Sequence, residues 1–205
     1  MINIVKHISL SNTHCCTELS DRRILVTGVE FIKVFSVETY EEIKNIPTDG
    51  IHCDSLVIPD RNMIFIKSNR GLCQYSLPDF DLVNVHEFTF FPLCLAYLRS
   101  KEMVLFNNKS NLLILNLKSS TVNMFEEGHN FDIYTIVSTK DEKYFFTTGH
   151  DETFKKWSTN SWTIVKAVDI EFEGISLLIN EDTETILVGM GDGSLAEYSL
   201  SDLSF

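Results

Sequence analysis

The sequence predicts an all-β chain built from five copies of one four-stranded unit, and three observations lead there. First, one phrase recurs, a strand-like run, a tight polar turn and a second strand ending in a large apolar residue. It reads RILVTGVEFIKVF, MIFIKSNRGLCQY, MVLFNNKSNLLIL, YFFTTGHDETFKKW and TILVGMGDGSLAEY. Second, the closing residues Phe35, Tyr75, Leu115, Trp157 and Tyr198 stand 40, 40, 42 and 41 residues apart, a regularity that marks a repeat architecture and that unrelated strands rarely produce. Third, each copy alternates short β-branched and aromatic runs with polar turns of two to six residues, which leaves no room for a helix of useful length.

Taken in order, the copies cover residues 9–47, 48–87, 88–127, 128–170, and 171–205 together with 1–8, in one domain. The fourth shows the unit most clearly, with strands DIYTIVS (Asp132 to Ser138), EKYFFTTG (Glu142 to Gly149), TFKKWS (Thr153 to Ser158) and WTIVKAVD (Trp162 to Asp169). The linking turns TKD, HDE and TNS are short and polar, as hairpins require. Four antiparallel strands at this period describe a β-propeller blade, which cannot bury both faces alone and gains its core by stacking on its neighbours. INIVKHI at the N-terminus aligns with the fourth strand of a blade, and the chain stops just after the third strand of the fifth copy. Pairing of those two ends would complete five blades and remove the open sheet edges. An incomplete ring that needs a partner chain is the competing expectation.

The run GHNFDIYTIVSTKDEKYFFTTGHDETFKKWS, from Gly128 to Ser158, resembles the WD-repeat β-propeller family. It carries the Gly-His pair, the polar hairpin, the small hydroxyl residue before the turn, the turn Asp and the Trp that closes the third strand. The resemblance implies that His129, Thr147, Asp151 and Trp157 form a hydrogen-bonded chain that locks the blade, a structural role for a satisfied buried polar network. Ser158 stands where the family has an Asp after the Trp. Other copies depart further: His7 precedes Phe35 by 28 residues and His86 precedes Leu115 by 29, without the Trp or the turn Asp. The fifth copy keeps Gly191-Asp192-Gly193 and ends in Tyr198 without the His. Family members most often have seven or eight blades, which keeps a fragment or half of a larger propeller in view.

Composition narrows the function classes. Of 205 residues, 17 are Lys or Arg and 29 Asp or Glu, a formal charge of −12, with 44% hydrophobic residues. This is the profile of a globular domain large enough to need neither metal nor disulfide staples. The acidic balance, without a run of Lys and Arg, argues against nucleic-acid binding and favours basic proteins or peptides as partners. The longest apolar stretch, Phe88 to Leu98, is interrupted by Thr89 and Pro92 and falls short of the ~20 residues that cross a bilayer, so no membrane role is expected. The N-terminus lacks the apolar region and cleavage site of a signal peptide, and the five cysteines are odd in number with no C-x-x-C spacing. The expected compartment is reducing and intracellular, the cytoplasm first.

Candidate chemistry is sparse. Gly189 to Ser194, GMGDGS, is followed by a strand, so it reads as a hairpin turn and not as a phosphate-cradling loop. His14-Cys15-Cys16 and His52-Cys53 begin the first strands of adjacent copies but lack zinc spacings, and no cofactor or metal is expected. Glu18, Asp54 and Asp132 lie in or beside the innermost strands, where a five-bladed glycan-processing enzyme would gather carboxylates. Neither a G-x-S-x-G elbow nor an HExxH motif occurs. The resemblance implies instead a partner-binding face, made of the turns between second and third strands and those before each first strand. It would present Val29, Glu30, Asn69, Arg70, Lys109, His150, Glu152, Met190 and Asp192, with Asn130 and Phe131 from the preceding turn and Phe131 as the aromatic anchor. The expected function is a non-catalytic scaffold for proteins or peptides, with self-association or pairing to another propeller segment as the alternative.

Overall fold

The structure, a computed structural model, describes residue 10 and residues 13–19, 21–88, 90–125 and 128–205, with the backbone alone over 49–53. The N-terminal strand expected at INIVKHI lies outside the described residues. The elements are β1 (Thr13–Leu19), β2 (Arg23–Ser36), β3 (Glu42–Ile58), a 3-10 turn at Pro59–Arg61, β4 (Met63–Ser68), β5 (Gly71–Ser76), β6 (Leu82–Glu87), β7 (Leu95–Leu98), β8 (Met103–Asn108) and β9 (Asn111–Asn116). They continue with β10 (Thr121–Phe125), β11 (Ile133–Ser138), β12 (Tyr144–Gly149), β13 (Thr153–Ser158), β14 (Ile164–Asp169), β15 (Gly174–Asn180), β16 (Thr185–Met190) and β17 (Leu195–Ser199). Among the described residues no helix is long and apolar enough to cross a membrane. The chain divides into two compact units, Met1–Phe91 and Pro92–Phe205.

In the first unit the strands follow the order β1-β2-β3-β4-β5-β6, all antiparallel. Two of them each hold two strands of the repeat. A straight run of 14 residues would separate the ends of β2 by roughly 45 Å, yet the Val37 N–H donates to the Arg22 carbonyl at 3.0 Å. β2 therefore doubles back at Val29–Glu30, where Glu30 takes φ 64°. The same bond closes the later hairpins, from Leu77 to Asn62 at 2.7 Å, Leu117 to Glu102 at 3.0 Å and Leu200 to Glu184 at 2.9 Å. β3 lies against Phe31–Phe35 over its first part and against β4 from His52 on, so it serves as last strand of one copy and first of the next.

The second unit holds three sheets, β10-β9-β8-β7, β11-β12-β13-β14 and β15-β16-β17. The fourth copy's strands fall within two residues of the bounds read from its alternation. The first strands stand side by side, β11 touching both β7 and β15, as stacked blades require. Side chains alternate across a strand, so neighbours Phe145 and Phe146 on β12 enter different cores. Phe145 joins Leu98, Leu105, Ile114, Ile133 and Trp157, while Phe146 joins Phe154, Ile186, Val188 and Tyr198. Both faces of β12 are thus buried, each large apolar side chain contributing about 1.5–3 kcal/mol. The first unit has the equivalent core between its two copies, around Ile32, Val34, Ile64, Ile66 and Tyr75.

Polar contacts between copies repeat as well. The backbone N–H groups of Arg99 and Ser100 are each accepted at 2.7 Å by the Glu142 carboxylate of the next copy, and that of Lys140 at 2.7 Å by Glu181 of the one after. Lys156, nearly buried, donates to the Leu200 and Ser201 carbonyls at 2.7 and 2.9 Å with its ammonium 4.2 Å from the Tyr144 ring centre. Burial holds its pKa below that of an ordinary lysine, against the field of Asp202.

Candidate functional site

The loop face of the second unit rests on a buried polar chain in the fourth copy. The Trp157 indole N–H donates to Thr147 Oγ1 at 2.8 Å, and Thr147 Oγ1 lies 2.7 Å from His129 Nε2. His129 Nδ1 lies 2.8 Å from Asp151 Oδ1. The Asp151 carboxylate can only accept, so His129 Nδ1 carries a proton. Burial disfavours a second one on the ring, which leaves Nε2 to accept from the Thr147 hydroxyl while that oxygen accepts from the indole. Burial pushes the His129 pKa below the usual value, against the pull of the Asp151 bond and charge. Burial works to raise the Asp151 pKa, but bonds from His129, the Asn130 N–H and Thr153 outweigh it and hold the carboxyl below its ordinary range.

Register explains why these residues meet. Phe145 pairs with Trp157 across β12 and β13, their rings stacked at 5.6 Å and 7°, which turns the indole edge toward Thr147, two residues along the same face. Gly128 permits the approach from the other side, because a Cβ there would overlap the Ser110 carbonyl oxygen, the acceptor of the His129 N–H at 2.8 Å. Thr153 and Lys155, absent from the residues singled out in the sequence, complete the site. Thr153 Oγ1 donates to Asp151 at 2.8 Å, and Lys155 Nζ donates to the Gly128 carbonyl at 2.8 Å and stands 3.9 Å from Asp151.

The third copy solves the same problem differently. His86, matched to His129 by spacing, sits in β6 opposite Leu72, and it is the Phe88 N–H that bonds the preceding turn, at Arg70, as His129 bonds Ser110. The polar centre here is fully buried Asn107, whose Oδ1 accepts from the Leu93 and Cys94 N–H groups at 2.7 and 3.2 Å. Its Nδ2 donates to the carbonyls of Lys109 and Ile133 at 3.2 and 3.0 Å. The available sequence signal was an Asn directly after the apolar run Met103 to Phe106.

Above the His129 chain, the Asn130 N–H donates to Asp151 Oδ2 at 2.8 Å, and Phe131 follows, 59% exposed. Its ring meets His150 edge-on at 5.6 Å, and Tyr134 lies 6.2 Å from the same imidazole. His150 Nδ1 bonds Glu173 at 2.6 Å; that bond, more than the cost of burial, raises the His150 pKa. Glu152 and Asp192 are exposed nearby, lining one cavity with His150 and Glu173. Met190 is a correction: it ends β16 on the same face as Ile186 and Val188 and is a core residue, because alternation along the strand turns it inward. Asn69 and Arg70 are exposed in the first unit at the β4–β5 turn, Arg70 reaching Glu87 at 3.4 Å.

The remaining candidates make local contacts within their own units. Cys15 Sγ donates to Asp54 at 3.7 Å, and Asp54 also pairs with nearly buried Lys67 at 3.3 Å; Glu18 is exposed on β1. Asp132 belongs to the second unit, where its carbonyl accepts from the His150 N–H at 2.9 Å. The side chains of His52 and Cys53 lie outside the described residues. Among the described residues no three His, Cys, Asp or Glu side chains come together as metal ligands would.

No family model matches the chain. Over 81 residues, 38% of its length, it is 31% identical to ribosomal RNA-processing protein 9 of Saccharomyces cerevisiae, of which it spans 14%. That similarity and the succession of antiparallel sheets fit a WD-like, propeller-like fold.

Proposed function

We propose that the chain is a non-catalytic, WD-repeat-like scaffold that binds protein or peptide partners through the loops of its repeats. The observation that carries this reading is the exposure of Phe131 immediately beyond a buried network. Asn130 is bonded to Asp151, itself bonded to His129, so an aromatic side chain is offered to solvent from a backbone already fixed in place. Such an anchor loses little conformational freedom on binding, which is where rigid scaffolds gain affinity. The His129, Thr147, Asp151 and Trp157 chain acts as the lock of this blade and takes no part in chemistry. The formal charge of −12 supports a basic partner surface.

The test is affinity capture with the immobilised full chain and its Phe131→Ala variant, read by quantitative mass spectrometry beside circular dichroism of both. The expected result is a set of captured proteins whose recovery falls in the variant while fold and melting are unchanged. Identical recovery by both chains would remove the loop face as the binding surface.

A further inference from the structure

A cavity of about 390 Å³ lies between the loops of the fourth and fifth copies, lined by His150, Glu152, Phe172, Glu173, Gly191 and Asp192. That volume is at the small end of ligand-sized pockets, of order 300–1,000 Å³, and suits one long side chain better than a cofactor. Its wall is aromatic. Phe172 is 38% exposed, and the imidazole of His150 is flanked by the rings of Phe131 and Tyr134. Its rim is acidic, with three carboxylates and neither lysine nor arginine in the lining. His150, the one basic group there, is already bonded to Glu173 at 2.6 Å.

Two of the carboxylates, Glu173 and Asp192, are held in place before any ligand arrives. Glu173 also accepts from the Tyr134 hydroxyl at 3.4 Å, and its Cγ stands 2.6 Å from where a Cβ on residue 191 would be, so a side chain there would displace the carboxylate. The Gly191 N–H donates to the Glu173 carbonyl at 2.9 Å. Asp192 accepts from the hydroxyl and the N–H of Ser194 at 2.6 and 2.9 Å. Fixed acceptors beside half-exposed phenyl rings call for a group that is cationic, planar and rich in donors. A guanidinium stacks on an aromatic face and bonds carboxylates two at a time, whereas an ammonium supplies the charge without the plane. An apolar side chain would strip water from the carboxylates and return no bond.

We infer that this pocket receives an arginine side chain of a protein or peptide partner, its guanidinium among Glu152, Glu173 and Asp192 and its plane against Phe172. The inference rests on the loop-binding reading above and names the group that this part of the loop face recognises.

Isotope-labelled full chain titrated with acetyl-Gly-Arg-Gly-amide, and separately with the same peptide carrying citrulline, tests it by nuclear magnetic resonance. Citrulline keeps the shape of arginine and removes the charge. Saturable shifts are expected at the Gly191 amide and the His150 and Phe172 rings, with a dissociation constant of millimolar order for so small a ligand, and binding at least about tenfold weaker for citrulline. Asp192→Asn and Phe172→Ala should each weaken the arginine peptide while the rest of the spectrum stays in place. Equal response to both peptides would overturn the inference, as would equal shifts at Glu181 to Glu184, which lie at the other end of the β15–β16 pair. Should the arginine peptide fail here while Phe131→Ala still abolishes capture of partner proteins, the loop face stands and the arginine does not. Loss of both would remove the reading on which the inference depends.

Discussion

Replacing Thr147 with valine isolates the polar part of the His129 chain from its packing. Valine keeps the β-branched shape and nearly the volume of threonine, so strand preference and core density are conserved. What disappears is one hydroxyl that does two things: it accepts from Trp157 Nε1 at 2.8 Å and stands 2.7 Å from His129 Nε2 as its donor. Trp157 is 1% exposed and Thr147 0%, so water cannot take over either role without the blade opening. Two buried groups lose their partners, at about 1–3 kcal/mol each, and with some relaxation the variant should lose roughly 2–4 kcal/mol. Urea unfolding followed by far-ultraviolet circular dichroism measures this as a fall in midpoint at unchanged slope. Trp157→Phe removes the indole donor from the other side, and the double variant should lose less than the sum of the singles by on the order of 1 kcal/mol, since the two share one bond. A loss below about 0.5 kcal/mol for Thr147→Val, or strict additivity in the cycle, would refute the idea that this chain holds the blade.

Two further perturbations bear on the same copy. Trp157→Ala deletes a fully buried ring stacked on Phe145 and should cost about 3–5 kcal/mol, measured by the same denaturation; a cost below about 1 kcal/mol would mean that the site collapses around the loss. Acid sensitivity follows from His129, whose pKa lies below 6.5 in the folded state because of burial. The unfolded chain then binds the extra proton first, so its contribution to stability is complete above about pH 6.5 and is lost as the pH falls through the folded value. His129→Gln should flatten the decline in melting temperature just below that pH, and an unchanged slope would count against a neutral buried histidine.

The period and the hairpins are local properties, and a single sequence carries local properties well. In the fourth copy the alternation of Tyr144 to Gly149 and Thr153 to Ser158 fixes which side chains share a face, and the HDE turn fixes the register that sets Phe145 opposite Trp157. Residues named from a motif could therefore be found within bonding distance of one another. His86 shows where this stops. Its spacing to Leu115 imitates that of His129 to Trp157, but spacing does not record whether a residue stands in the last strand of one copy or in the turn after it, and β6 extends through His86 to Glu87.

From the sequence alone come the all-β class, the copies near forty residues long and the strand bounds of the fourth copy, and its resemblance to WD repeats implies the residues of the polar chain. Tertiary structure alone decided that Phe145 and Phe146 feed separate cores, that Met190 turns inward with Ile186 and Val188, and that Asn107 carries the polar centre of the third copy. It alone brought Glu142 and Glu181 to cap the turns of the preceding copies, and gathered Phe172, Glu173 and Asp192 around one cavity. The division has a physical reason. Hydrogen-bond register within a hairpin depends on a handful of consecutive residues, whereas the partner of a sheet face or of a loop carboxylate lies a whole copy away, and which copy lies beside it is settled only when the sheets stack.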